Sequence, residues 1–453
     1  MATFRTKKTL LPIAALSVLT LGLSACGSGS GDDGGGGGGG DEPAADCASY
    51  ESYGTFEDAE VSVYSTIVDT EAELLENSWA DFSECTGVEV VYEGSKEFET
   101  QIGVRSQAGN PPDIAIFPQP GLLAAEVAGG NVLPAPAEVE ALVDENWTED
   151  WKGYGTVDDV FYGAPMLANI KGYVWYDPTV FTDMGWEVPE TLDDMMTLTE
   201  DIAADGTMKP WCAGFESGEA TGWPGTDWVE DYVLRQAGPE VYDQWVNHEI
   251  PFNDPQIAEA FDAVGEILKN EEYVNGGIGD VRSILSTPFA DAGQPVLDGT
   301  CAMHHQASFQ AANWPEGTEV SEDGDVWAFM TPGVEAGGGA ITGGGEIIAA
   351  YADREEVVAF QSFMASGEFA NARVSQGSGI SANLALDPSV ATSDLDRQSI
   401  ELLQNEDTVF RFDASDLMPG AVGANSFWSG IVEWINGSET EEVLDTIESS
   451  WPQ

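Results

Sequence analysis

The chain has 453 residues and carries 80 Asp and Glu against 15 Lys and Arg, a net charge of −65. That balance excludes nucleic acid and anionic lipid headgroups as partners, because both need clustered cations. The acid is spread along the chain and reads as a solvated, self-repelling surface, while 42% hydrophobic residues over this length suffice for two packed domains.

Residues 1–25 combine a basic start (Arg5, Lys7, Lys8) with an apolar run from Leu10 to Leu23. The run is too short to span a bilayer comfortably and reads as a secretory signal. Leu23-Ser24-Ala25-Cys26 resembles the bacterial lipobox. It implies cleavage before Cys26 and lipid on the new N-terminus; an ordinary signal with a free Cys26 thiol is the alternative. Residues 26–55 read as a tether. Gly27 to Asp46 holds seven consecutive glycines (Gly34 to Gly40) and no Val, Ile, Leu or aromatic residue, so it has nothing to bury. As a flexible coil it spans about 25 Å. No later segment has 18 consecutive apolar residues.

The first folded element is a strand over Val61 to Ile67, with Val61, Val63, Ser65 and Ile67 alternating. Asp69 or Thr70 is placed to cap a helix through Leu75, Trp79 and Phe82, which Gly87 stops. A strand over Val88 to Tyr92, a helix over Phe98 to Gln107 and a strand over Asp113 to Phe117 follow. This alternation predicts βαβ units, a parallel sheet and ligand at the carboxyl ends of the strands. The loops Thr66–Thr70, Gly94–Phe98 and Pro118–Gly121 are therefore expected at a site.

Further on, Tyr173 to Tyr176 reads as a strand and Thr191 as a helix cap with Asp194 three residues on. Ile257, Phe261, Val264 and Leu268 mark an amphipathic helix. Cys301 to His305 and Val326 to Met330 read as strands. The glycine cluster Gly337 to Gly345 matches no phosphate-binding pattern and reads as a crossover where the backbone bends. A strand over Glu346 to Tyr351 and a helix opened by Asp353 through Val357, Phe360 and Met364 come next. Trp428 to Trp434 and a capping-box helix (Ser438 with Glu441) through Val443, Leu444 and Ile447 end the chain.

Beyond Cys26 four cysteines remain, an even number that suggests two disulfides in an exported protein. Three pairings are open; the nearest-neighbour choice is Cys47–Cys85 and Cys212–Cys301. The histidines make no metal-ligand pattern, and His304-His305 reads as a strand pair pointing to opposite faces. No metal or cofactor is expected.

Several stretches together resemble the extracellular solute-binding proteins of bacterial ABC sugar importers. They are Gly109–Phe117 leading into Gln119 and Gly121, Tyr162–Pro165, Lys171–Pro178, Gly222–Trp228, Gly343–Glu346 and Ser426–Trp428. Gly222–Trp228 with Glu230-Asp231 and Leu234-Arg235 is most similar to the α-glucoside-binding branch. The resemblance implies an α/β clamp of two lobes, each a mostly parallel sheet flanked by helices, with the chain crossing the hinge near Ala168, Thr342 and Asp387. Lobe one would be 56–168 plus 342–387, and lobe two 169–341 plus 388–453. It implies a lipid-anchored monomer at the extracellular face of the cytoplasmic membrane. This receptor would hand an α-glucoside or small oligosaccharide to a permease with a cytoplasmic ATPase, and would touch the membrane only through its lipid.

The chemistry of a sugar sets the expected site. Its faces need aromatic rings and its rims need planar donors and acceptors. The resemblance places Trp428 and Phe309 as stacking rings in lobe two, and Trp223 in the loop that shapes the cleft. Polar candidates are Gln119, Thr66, Asp69, Asp227, Glu346 and Lys171, the last as a hydroxyl donor at the lobe crossing. Maltodextrin-binding relatives have an acidic ligand near this lysine, where this chain has Asn169 and Ile170, and Phe117-Pro118-Gln119 lacks their Asp-Arg pair. A secreted glycosidase and a sugar-sensing receptor built on the same clamp are the competing readings.

Overall fold

The structure is a computed structural model and describes residues 46–275, 279–337 and 339–452. The signal, Cys26 and the glycine run lie outside the described residues. The strands in chain order are β1 (Ala59–Ser65), β2 (Val88–Gly94), β3 (Ile114–Phe117), β4 (Thr156–Val157), β5 (Val160–Phe161), β6 (Gly163–Ile170), β7 (Tyr173–Tyr176), β8 (Lys209–Cys212), β9 (Val274–Asn275), β10 (Cys301–His305), β11 (Trp327–Met330), β12 (Ile341–Ala350) and β13 (Phe410–Phe412).

Two mixed sheets carry the architecture. In the first, β1 pairs parallel with β2 and β3, while β12 runs antiparallel to β3 and β6 and parallel to β13. The second has the order β11-β7-β10-β8-β9. Its β10–β8 and β8–β9 pairs are parallel, and its β10–β7 and β11–β7 pairs are antiparallel. Helices pack against both, giving the two-lobed α/β clamp.

Three strands or their ends pass between the two main cores. Ala164 to Ala168 of β6 lie in the first core, and Ile170 lies in the second. In β12, Ile341 belongs to the second core and Ile348 to the first, and the pair Phe412 and Ala414 divides the same way. The helix Gly367–Val374 and residues 380–386 touch both.

Cys47–Cys85 and Cys212–Cys301 are both joined, with Cα separations of 5.2 and 5.6 Å. The first ties the short 3₁₀ helix Cys47–Tyr53, at the end of the segment read as tether, to the helix Ala80–Thr86. There Tyr50 and Tyr53 pack on Phe82 and Phe363. The second joins β8 to β10.

Several local expectations need correction. The first helix is two helices, Asp69–Ser78 and Ala80–Thr86, broken at Trp79, and neither Asp69 nor Thr70 caps it. Asp69 takes a positive φ of 56° at the first helical position, and no side chain accepts from the helix N–H groups. Gly343 to Gly345 are not a bend but part of β12, a continuous strand. A Cβ on Gly343 would collide with Asn169 O and the Phe410 ring, and one on Gly345 would sit 2.8 Å from the Trp151 ring. Close approach of neighbouring strands and rings explains the glycines there. The last helix, Thr440–Ser449, has Glu439 at its N-cap and no capping box. The turn is instead held by tertiary bonds: Ser438 O accepts from Lys269 Nζ at 3.0 Å, and Thr440 Oγ1 donates to Asp262 at 2.7 Å.

Candidate functional site

The cleft between the lobes is a cavity of about 230 Å³. The carboxyl ends of β1 and β3 supply one wall, through Thr66, Asp69 and Glu71 after β1 and Pro118 and Gln119 after β3. That is where a parallel βα arrangement leaves its backbone ends free for ligand. Trp223, Phe289, Phe309 and Trp428 supply the opposite wall, and Asn169, Lys171, Gly345, Glu346, Asp413 and Asp416 line the remainder.

The aromatic wall is a linked set. Trp223 packs edge-on to Phe289 at 5.1 Å between centroids and tilted to Phe309 at 6.0 Å. Trp223 opens the helix Trp223–Ala237 behind Gly222. Gly222 has φ +116°, and a Cβ there would collide with the Trp428 backbone, so this turn and the turn carrying Trp428 are pressed together. Trp428 begins the helix Trp428–Ile435, whose Ile431, Trp434 and Ile435 are in the second core. Trp428 is therefore fixed from below while its face borders the cleft.

Gln119 and Trp428, on opposite walls, each carry a buried polar atom without a partner among the described residues. Gln119 is 5% exposed; its Nε2 donates to Glu99 Oε1 at 3.3 Å and its Oε1 has no partner. Trp428 Nε1 likewise has none. A buried unsatisfied polar group costs about 1–3 kcal/mol, so a ligand bearing both donors and acceptors gains by meeting them. Sugar hydroxyls are such groups.

Beneath Trp223 lies a charged network. Lys171 Nζ is 3.1 Å from both Asp227 Oδ1 and Asp413 Oδ2, and 4.7 Å from the Trp223 ring centroid. Burial alone would lower the Lys171 pKa, but Asp227 and Asp413 raise it well above its ordinary value. Burial works against Asp413 too, yet Lys171 and hydrogen bonds hold it near 2. Asp227, Glu230 and Asp416 are pushed well up, first by burial and then by the charge of Asp413. Lys171 is thus the shared charge partner of Asp227 and Asp413, and the acids around the pair resist ionisation. At the floor, burial and then the charge of Glu71 push Glu346 up to about 7.

The structure brings together at the cleft every residue singled out from the sequence except Asp227. Asp227 is 2% exposed and stands behind the wall as a partner of Lys171. Lys171 reaches the cleft but spends its ammonium on the two carboxylates. The paired histidines do face opposite ways: His304 Nδ1 meets Cys212 O at 3.1 Å, and His305 Nε2 meets Asp231 Oδ2 at 3.1 Å. Reading the sequence missed Phe289, Glu71, Glu99, Lys96, Asp413 and Asp416. Lys96 lies in the Gly94–Phe98 loop already marked by its place after β2; the others carried no local signal.

The stacking role of Trp428 has a direct test. Trp428→Ala should weaken sugar binding by about 2 kcal/mol, the cost of a hot-spot ring, or about 30-fold in affinity. Calorimetric titration reads it, with melting of the unliganded variant as the control. Unchanged affinity with a large loss of stability would assign Trp428 to the core.

Two lobes joined by crossing strands enclose a cleft whose aromatic wall faces an amide and carboxyl wall, a lining suited to a small polar solute. The family model of the bacterial extracellular solute-binding proteins matches residues 65–369. The chain belongs to that family. It is 40% identical over 402 residues to the osmoprotective compounds-binding protein of Synechocystis sp., covering 87% of this chain and 93% of the relative. It is 37% identical over 390 residues to the alpha-glucosides-binding periplasmic protein of Rhizobium meliloti, covering 83% and 84%. Among solved structures, a maltose-bound protein of T. maritima superposes with TM-score 0.68 at 14% identity, covering 86% of this chain and 98% of that one. A chitin oligosaccharide binding protein gives 0.71 at 18%, covering 86% and 97%. As a member of that family, the chain is a bacterial extracellular solute-binding protein. No helix among the described residues is long and apolar enough to cross a membrane.

Proposed function

We propose that the protein binds a neutral α-glucoside or small oligosaccharide between its lobes and presents the closed complex to the permease. The carrying observation is the pair of unpartnered groups, Gln119 Oε1 and Trp428 Nε1, on opposite walls of an aromatic-lined cleft. A ligand that bonds both walls favours the closed state, because it binds that state better than the open one. Phe309 and Trp223 would flank the ring that Trp428 faces, and Thr66, Asp69 and Glu346 would accept hydroxyls. The names of the two relatives, one for alpha-glucosides and one for osmoprotective compounds, support a small glycoside.

The lobe boundaries 56–168 with 342–387 and 169–341 with 388–453 belong to the same proposal. So does a monomer held at the outer face of the cytoplasmic membrane by lipid on Cys26. The lipobox and the glycine run motivate the anchor. Cys26→Ala should release the protein into the medium, and unchanged membrane retention would remove the anchor from the account.

A thermal-shift panel tests the ligand class. Trehalose, maltose, sucrose and raffinose are set against β-linked cellobiose and lactose. A ligand at 100 times its Kd adds about 2.7 kcal/mol of stability. At least one α-linked sugar should raise the melting temperature, and a response confined to the β-linked pair would contradict the α-glucoside reading.

A further inference from the structure

A second, smaller cavity of about 20 Å³ adjoins the cleft, with Glu71, Asn169, Phe309 and Glu346 lining both. Its far side is formed by Arg373 and Asp396. A space of this size takes one water-sized polar group, since about 10–15 Å³ is the minimum for one. It is too small for a sugar ring.

The walls of this chamber are polar and incompletely satisfied. Arg373 is 1% exposed, donates through Nη1 to Gly377 O at 2.9 Å, and has no partner for Nε among the described residues. Asn169 Oδ1, on the cleft side, has none either. Gly379 leaves room for the guanidinium, since a Cβ there would lie 2.6 Å from Arg373 Nη1. Two residues lining one small cavity thus carry a buried acceptor and a buried donor without partners, and a group that both accepts and donates, as a hydroxyl does, suits such a lining. The charges narrow the choice further. Glu71, Glu346 and Asp396 outnumber the single guanidinium, and all three carboxyls already resist ionisation through burial. An incoming carboxylate or phosphate meets the same burial penalty that already raises these carboxyls.

We propose that this chamber receives one exocyclic hydroxymethyl group of the bound sugar, so that the cleft is closed at this end and rejects sugars carrying an anion at that carbon. Of the substituents on a pyranose, only the hydroxymethyl extends its oxygen two bonds from the ring. The ring itself then lies on the cleft side of Asn169, against Phe309, which borders both spaces. The remainder of an oligosaccharide extends toward the wider part of the cleft. This inference rests on the sugar-binding reading and deepens it: Asn169 becomes a specificity residue, and the ligand is a neutral sugar with a free hydroxymethyl end.

The test uses trehalose and maltose with both rings modified, so that either orientation presents the same group. Each parent is titrated into the wild-type protein beside its 6,6′-dideoxy and 6,6′-dicarboxyl derivatives. A parent that binds should lose about tenfold in affinity as the dideoxy sugar, the cost of leaving polar groups unpaired. The dicarboxyl sugar should not bind measurably. Asn169→Ala should weaken the parent by a similar factor and leave the dideoxy sugar unchanged, a coupling that a structural role would not produce. If a parent binds and its dideoxy or dicarboxyl derivative binds equally well, the chamber proposal is overturned while the sugar-binding reading stands. If neither parent binds, the same two modifications are made to the primary hydroxyls of whichever α-linked sugar of the panel does bind; if none binds, both readings fall together. The wild-type comparisons decide the matter even should Asn169→Ala fold poorly.

Discussion

Lys171→Met should destabilise the unliganded protein by about 3–5 kcal/mol, the usual cost of stranding a buried charge by removing its partner. The ammonium is 3.1 Å from Asp227 and from Asp413 and is 7% exposed. Without it Asp413 must either stay ionised with no counter-charge or take up a proton. The loss should therefore be largest at neutral pH and shrink as the pH falls toward the folded Asp413 pKa of about 2. The sign follows from linkage. A depressed carboxylate contributes stability above its unfolded pKa of about 3.9 and loses it as pH falls through the folded value. Adding Asp413→Asn to Lys171→Met should recover part of the loss, because the second change removes the stranded charge. Urea denaturation of the single and double variants reads this directly. A Lys171→Met loss under 1 kcal/mol would mean that solvent already screens the network.

Removing the Cys212–Cys301 bridge by a double serine substitution should cost about 3–5 kcal/mol, from the chain-entropy estimate for a long loop. The bridge closes 89 residues, against 38 for Cys47–Cys85. Both Cys212 and Cys301 are 1% exposed, in strands of the second sheet. Serine hydroxyls there also lose water without gaining a set partner. Removing Cys47–Cys85 should cost slightly less, since loop-closure entropy grows only logarithmically with length. Equilibrium denaturation of both variants, with peptide mapping under non-reducing conditions, checks the order. Four alkylatable thiols in the wild-type protein would contradict both pairings.

Much of the scaffold could be read from local patterns. Thr191 caps its helix as expected: its Oγ1 accepts from Asp194 N at 3.1 Å and donates to Asp194 Oδ2 at 2.7 Å. The helix Phe98–Gln107 and the strands Tyr173–Tyr176 and Cys301–His305 fall where their spacing put them. Gln119 was legible because a residue just past a parallel strand's carboxyl end is where such folds keep ligands. Trp428 and Phe309 were legible only through the family resemblance, since a Trp in a helix is otherwise a core residue.

What stayed hidden is what distance along the chain conceals. Asp413 follows a three-residue strand, Phe410–Phe412, too short to show a period. Its partner Lys171 is more than two hundred residues away. Phe289 sits in a loop with no alternation, and Arg373 lies on a helix where a charged residue ordinarily faces water. Ser438 is not the cap because the helix begins one residue later, with Glu439 at its N-cap. Local rules give elements and their ends; the cleft is assembled by contacts that no window of sequence contains.

The two walls should close on one neutral sugar and leave it chemically unchanged. Calorimetric titration of wild-type protein with the α-linked sugar giving the largest thermal shift tests this most directly, with the sugar recovered and analysed afterwards. The account predicts saturable one-to-one binding and sugar recovered intact. Absence of binding by every neutral α-linked sugar, or recovery of hydrolysed sugar, would contradict it.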